Sequence, residues 1–304
     1  MNYEKARLNL ARFQSLTSLR VSEFDELLPY FEANWLDFIE RYNLDGTPRL
    51  RAYSPRNESQ LPTVAHKLFF ILISQKNNTL QEFLAASFDL DTAMANKWIH
   101  ILSPILEKSL RAFKAPSKIQ EADFENDTTY LIDGIERQIQ RDTYQQEDYY
   151  SGKKKTHTVK NLVITNLLGF IIWASPTTYG KVHDKTIAES YPMASNIILM
   201  ADLGFKGWKI KGATLRLPHK KPRNTKTEKR ELTQKQKSEN KEFSRVRVGI
   251  EHVFSSVKIM RTLKDRNRNY KSNYRDLIFT TACSLHNFRR TKRTKTVLKQ
   301  ENIC

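Results

Sequence analysis

The chain has 304 residues, 39% of them hydrophobic, and a formal net charge of +18 at pH 7. That length can bury a core and fits a large domain with a smaller one, and the charge points to a polyanionic partner, either nucleic acid or an anionic membrane surface. Two cysteines, Cys283 and Cys304, exclude a disulfide framework, and no run has the length of an apolar membrane span or the apolar core of a secretion signal, so a cytoplasmic, membrane-free protein is expected.

Residues 1–60 read as helical, with the aromatic stretch "FDELLPYFEANWLDFIERY" ending in the breakers of "NLDGTPRL". Their aromatic content suggests protein–protein contact, as in oligomerisation. Residues 61–113 open with the apolar helix "TVAHKLFFILISQ". "TLQEFLAASF" follows, with Thr79 and Glu82 at capping-box spacing, and then a further helix that Pro104 is expected to break. A short helix, a brief turn and a second helix with Asn96 and Lys97 near its start have the size and order of a helix-turn-helix, although any small helical bundle gives the same pattern. "KAPSK" begins a linker at 114–125.

Beyond the linker the apolar period changes from helical to alternating. "TTYLIDGIE" reads as a strand, "KNLVITNLLGFIIWASP" as a hairpin turning at Asn166–Gly169, and "HDKTIAES" as a short helix. "SNIILMADLGFKGW" is another buried strand and "ATLRLP" a short one. A basic stretch then runs from His219 to Lys241, and a long helix starts near Thr233. The order describes a mixed α/β domain over 126–290, followed by a basic tail at 291–304.

The long helix carries two stripes. Val246, Ile250, Val253, Val257 and Met260 form an apolar face, and beside it stand Ser244, Arg247, Glu251, Ser255 and Lys258, which place one acid between two cations. A solvated face accounts for such a stripe as well as a functional one does. Asp133 and Asp202 each end an apolar strand, where a charge is costly in the core but suited to a crevice at the sheet edge. If those strands are neighbours, three carboxylates converge, repel one another, and call for a hard divalent cation with oxygen ligands such as Mg²⁺. Two such ions can activate an attacking oxygen and stabilise the leaving one in phosphodiester cleavage. Zinc is not indicated, because Cys283 and His286 lack a second pair at ligand spacing and read as core.

The stretches "YYSGKKKTHTVKN", "GKVHDKT", "ADLGFKG", "SRVRVGIEHVFSSVK" and "CSLHNFRR" resemble the bacterial transposases of insertion-sequence family 5, relatives of the Harbinger transposases of eukaryotes. The resemblance covers residues from about 130 to 289 and implies a ribonuclease H-like mixed sheet flanked by helices, the DDE catalytic domain. It implies that Asp133, Asp202 and Glu251 are catalytic and hold two Mg²⁺ or Mn²⁺ ions. Related enzymes carry a helix motif of Tyr, Arg, Glu and Lys whose basic members touch DNA phosphates. Arg247 and Lys258 match its Arg and Lys, while Ser244 replaces the Tyr and leaves only a hydroxyl contact.

Further DNA contacts are expected from Lys153, Lys154 and Lys155 in a loop, and from Lys220, Lys221 and Arg223 in the basic stretch, with a solvated charge run as the alternative. His183 and Asp184 match a His-Asp pair of the family, and an N-cap role explains Asp184 equally well. Trp208 suits either base stacking or core packing. The expected protein is a nucleoid-associated bacterial DNA transposase that assembles as a homodimer or higher oligomer. Its partners are the terminal inverted repeats of its element and the target duplex, which it joins through freed 3′-hydroxyls. A non-transposing endonuclease of the same fold and a catalytically retired DNA-binding derivative are the alternatives.

Overall fold

The computed structural model describes residues 1–54, 59–116, 124–126, 128–141, 144–223, 230–269 and 271–301, and the side chains of all of these except 272 and 294–301. Most of the expected linker, the middle of the basic stretch, the end of the basic tail and Cys304 lie outside the described residues. The chain forms two compact units, Met1–Ala115 with Val257–Cys304, and Pro116–Ser256.

The helical unit opens with α1 (Tyr3–Leu8), α2 (Leu10–Thr17), α3 (Val21–Arg41), α4 (Val64–Asn77), α5 (Gln81–Ser87) and α6 (Thr92–Leu110). The sheet unit holds β1 (Thr129–Gln138), α7 (Gln146–Tyr149), β2 (Tyr150–Ser151), β3 (Thr156–Asn166), β4 (Ile171–Ala174), β5 (Thr178–Tyr179), α8 (Asp184–Glu189), β6 (Ile198–Met200), β7 (Thr214–Arg216) and α9 (Gln234–Val257). The chain then returns to the helical unit with α10 (Arg261–Lys264) and α11 (Ser272–Glu301). Residues 257–290, read from the sequence as part of the catalytic domain, therefore cluster with the helices.

In the helical unit α6 packs against α3, α4, α5 and α11. Phe13, Phe24, Phe69, Phe70, Leu102 and Leu106 are fully enclosed, and the rings of Phe13 and Phe69 stack at 5.6 Å. Two sequence expectations fail here. Pro104 does not break a helix but lies inside α6, because buried Leu102, Ile105 and Leu106 on either side hold the turn whose one hydrogen bond proline removes. No capping box forms at α5 either. Its N-cap is Leu80, without a side-chain bond, and the Thr79 hydroxyl is buried with no hydrogen-bond partner. Cys283 is buried, as a core residue would be.

The sheet runs β2-β3-β1-β6-β7, with β4 and β5 also pairing with β3. β3 lies antiparallel to β1, while β6 is parallel to β1 and β7 to β6. Tyr130, Ile132, Leu162, Ile164 and Leu199 pack on one face with Ile187 and Ala188 of α8. Leu131 and Met200 turn to the other face and meet Ile250 of α9. A mixed sheet with a helix on each side is thus the observed form of the α/β domain. α9 starts where the sequence placed it. Thr233 Oγ1 accepts from Gln236 N at 3.2 Å and Gln236 Oε1 accepts from Thr233 N at 3.0 Å, a reciprocal cap.

Lys67 is buried in the helical unit. Its Nζ donates to Leu61 O at 2.6 Å and lies 5.2 and 5.6 Å from the ring centroids of Trp35 and Trp98. Burial pushes its ammonium down to about 8 from 10.5. The unfolded chain therefore binds the extra proton between these values, and wild type should gain stability relative to Lys67→Met as pH rises from about 8 to about 10.5. Urea midpoints of the two proteins across that range check the sign, and a constant difference would contradict it.

Candidate active site

Parallel pairing of β1 with β6 stops at Leu131 and Met200. Asp133 and Asp202 each follow that pair by two residues, so both leave the end of the parallel pairing on the side of Leu131 and Met200. Asp202 lies just past β6. Asp133 does not end its strand, as the sequence suggested, because β1 continues to Gln138 against β3 and Asp133 sits opposite Val163. Its exposure to a crevice comes from β6 stopping short.

The same face is covered by α9. Ile250 is buried there, and Phe243 and Phe254 pack partly against Leu131 and Met200. A Cβ on Gly249 would stand 3.5 Å from Leu131 Cδ1, which shows how closely the helix lies on the strand. Val246 corrects the expected apolar stripe, since it is 41% exposed. One turn before Ile250, Arg247 forms an ion pair with Asp133 Oδ2, while Asp133 Oδ1 accepts from the Gly134 N–H at 2.8 Å.

Burial pushes the Asp133 carboxyl up to about 6 from 3.8. Arg247 and the Gly134 N–H oppose that rise, and the charges of Asp202 and Asp184 add to it. Asp202 Oδ1 accepts from Gly204 N at 2.8 Å and caps the 3₁₀ turn Leu203–Phe205. The cap reading and the catalytic reading of Asp202 therefore share one residue.

Asp184 reaches the strand from the opposite face. His183 occupies the N-cap position of α8 without a side-chain bond, so Asp184 is the first helical residue and not the cap. A Cβ on Gly134 would lie 2.9 Å from Asp184 Cγ, and Lys160 Nζ stands 3.4 Å from Asp184 Oδ1 while donating to Val182 O at 2.9 Å. Sequence reasoning passed over Lys160 and Gly134. Their signal is the β1–β3 register, which is invisible until the strands are paired: Gly134 and Lys160 both fall on the face of Ile132 and Leu162.

The other predicted residues are scattered. Glu251 lies one turn after Arg247 on α9 and is exposed, as are Ser244 and Ser255. Lys258 directly follows the last residue of α9 and is half-buried. Lys153, Lys154 and Lys155 are exposed in the turn between β2 and β3, with Lys155 at φ 50°. Lys220, Lys221 and Arg223 are exposed beside a fastened segment. There Asn240 Oδ1 accepts from His219 N at 2.7 Å, Asn240 Nδ2 donates to His219 O at 3.0 Å, and His219 Nε2 lies 2.6 Å from Glu239. Trp208 is buried and packs on Phe205 at 5.8 Å, as the core-packing alternative has it. In the helical unit Asn96 Nδ2 donates to Gln81 Oε1 at 3.1 Å, and Lys97 is half-buried on α6.

Among the described residues no three His, Cys, Asp or Glu side chains stand as a ready cation cage. The donor chemistry of Asp133 and Asp202 nevertheless fits a hard divalent ion, because their carboxylates are close enough for one to raise the proton affinity of the other. Arg247 now supplies the compensating charge.

Residues 132–287 match a family model described as DDE superfamily endonuclease. A protein of Microchaete diplosiphon named "Probable transposase for insertion sequence element IS702" is 27% identical over 164 residues, which are 53% of this chain and 58% of that protein. The chain thus spans little more than half the length of this curated relative. No solved structure gives a significant match.

Replacing Gly134 by Ala should cost roughly 1–3 kcal/mol, because the new methyl meets the Asp184 carboxylate. Urea denaturation of Gly134→Ala in wild-type and Asp184→Ala backgrounds measures this, and the penalty should shrink in the second. An equal penalty in both would mean that the close approach is not its source.

Proposed function

Because the chain belongs to the DDE superfamily endonuclease family, we propose that it is a bacterial insertion-sequence transposase that cleaves its element's ends and joins them to target DNA. The observation that carries this reading is the placement of Asp133 and Asp202 level on adjacent parallel strands, on the face covered by α9, with Arg247 bonded to Asp133. Asp133 and Asp202 lie just past the point where the parallel β1–β6 pairing ends, the kind of position at which open α/β sheets bind ligands. The strand order, with an antiparallel β3–β1 pair followed by parallel β6 and β7, is compatible with a ribonuclease H-like sheet. The name of the cyanobacterial relative points the same way.

Asp133, Asp202 and Glu251 would hold two Mg²⁺ or Mn²⁺ ions. Such ions, when bound, polarise a phosphodiester and stabilise the oxygens that attack and leave. Arg247 keeps Asp133 ionised in their absence and, released from it, has a planar fork suited to a DNA phosphate. Lys153, Lys154 and Lys155 on the hairpin tip and Lys220, Lys221 and Arg223 beside α9 attract the backbone without reading sequence. Ser244 and Lys258 extend that contact, and His183 and Asp184 brace β1 from beneath. Residues 61–113, with Asn96 and Lys97 on α6, recognise the terminal inverted repeats, and residues 1–60 pair two copies so that both ends are held together.

Labelled DNA carrying the sequences that flank the gene should be nicked at the 3′ ends and joined to a target duplex with Mg²⁺ or Mn²⁺, and not with EDTA. Asp133→Asn and Glu251→Gln should each lower the rate by at least about 100-fold while leaving DNA binding within a few-fold. Tight binding by the wild type with no nicking in either metal would sink the catalytic assignment.

The charge of Arg247 should matter twice. Arg247→Met should weaken duplex binding and flatten the dependence of log K on log salt by about one phosphate contact, and it should also raise the Asp133 carboxyl beyond its present position. Fluorescence anisotropy at several salt concentrations and carboxyl titration by NMR would read the two effects separately.

A further inference from the structure

The helical unit contains two adjoining concavities that the catalytic reading does not use. One, of about 510 Å³, lies among the ends of α4 and α5, one face of α6, residues 267–269 and the start of α11. The other, of about 450 Å³, continues past His100, Lys271 and Tyr274, which line both. Each is of the size that takes a small organic ligand, and each is far larger than a lone phosphate needs.

Charge decides the sign of the ligand. Among the described residues neither concavity is lined by an Asp or a Glu, although the chain has 33 acids, and the charged lining residues are Arg268 and Lys271. Hydrogen-bonding capacity narrows the class. Gln81, Asn96, Asn267 and Asn269 bring carboxamides to the larger concavity; beside its bond to Gln81, Asn96 has its Oδ1 and a second N–H to offer, and Asn269, whose Oδ1 accepts from Lys271 N, has its Nδ2, so that together they present an acceptor and donors to the edge of a nucleobase. His100 and Tyr274 supply an aromatic pair at 5.1 Å between ring centroids at the junction. Cations, carboxamides and aromatic rings together form the combination that holds unpaired nucleic acid through phosphate, base edge and ring contact.

The walls are firm. Arg268 donates to Asn78 O at 2.6 Å and to Thr79 O at 3.3 Å, which ties residues 267–269 to the carbonyl end of α4. Asn267 Oδ1 accepts from Asn269 N at 2.8 Å, and Asn269 Oδ1 from Lys271 N at 2.9 Å. Arg268 is therefore committed to structure. Lys271 is exposed and its ammonium enters no ion pair among the described residues, so it is the cation available to a ligand.

We propose that these two concavities bind an unpaired DNA segment of about two nucleotides, with Lys271 on the phosphate between them and Asn96 and Asn269 on a base edge. The proposal rests on the DNA-transposase reading and adds to it a second DNA surface that grips a strand only where it is not in a duplex.

The test uses the full chain with a fluorescein-labelled single strand of about eight nucleotides and a duplex of the same sequence, read by anisotropy without divalent metal. Lys271→Gln and Asn269→Ala should each weaken single-strand binding by about ten-fold and leave duplex binding within two-fold. Both substitutions are near the surface, and circular dichroism checks that the variants fold. Single-strand binding unchanged in both variants would overturn the proposal while leaving the transposase reading intact. Equal losses for strand and duplex would also overturn it, because the surface would then be a general backbone contact. Full competition by free deoxynucleotide at the strand's own affinity would replace the strand with a mononucleotide as the ligand. Failure of the wild type to bind either DNA would bring down the functional reading itself.

Discussion

A carboxylate set on the covered side of a β-sheet loses most of its hydration, and the protein must return that stabilisation from another source or let the group take up a proton. At Asp133 the return comes from Arg247, one backbone N–H and the partial openness left where β6 ends. Much of the sheet unit follows from this balance. α9 must lie close enough on Leu131 and Met200 for Arg247 to reach the strand, and Ile250, with its neighbours Phe243 and Phe254, fixes that depth. The apolar contact positions the helix and the ion pair uses the position. With Asp202 and Asp184 nearby, the three carboxylates outnumber the two cations, Arg247 and Lys160, paired with them.

Most of the elements were legible in the sequence because their periods are local. The hairpin around Asn166–Gly169, α8, β7 and the start of α9 near Thr233 all fall where alternation, caps and breakers put them. What failed depended on partners far along the chain. Pro104 reads as a breaker in isolation and survives inside α6 because the residues around it are buried by other helices. Val246 has the spacing of a buried residue, yet Phe243, Ile250 and Phe254 are the α9 residues that meet the sheet, and Val246 between them is left exposed. For Trp208 the sequence left base stacking and core packing open, and the core beneath β6 holds its ring.

The candidate site was legible to the same degree and for the same reason. Asp133 and Asp202 stand out because an acid after an apolar strand is locally anomalous, and Arg247 because it shares a helical stripe with Glu251. The support beneath them could not be read. Gly134 is a plain strand glycine until β1 is laid beside β3 and α8, when it becomes the one place where the Asp184 carboxylate fits. Nor does spacing alone bring out the concavities of the helical unit, whose linings draw on residues between 74 and 104 and again between 262 and 278. Only the folded bundle shows that the acids of this part of the chain were kept out of them.

The far edge of β3 is tiled by three short strands in succession. β2 pairs at Thr156–His157, β5 at Val159–Lys160 and β4 at Val163–Thr165, each against a different length of the same strand. None is long enough to offer a continuous open ladder, so the sheet ends without a template on which another molecule's strand could grow. The tiling also insulates the catalytic strand from change. Residues can be inserted or lost in the links between tiles, including the lysine-bearing turn Gly152–Lys155, while β3 stays whole between that edge and Asp133. The charge carried along one margin of the sheet can thus vary without disturbing the register that sets Asp133.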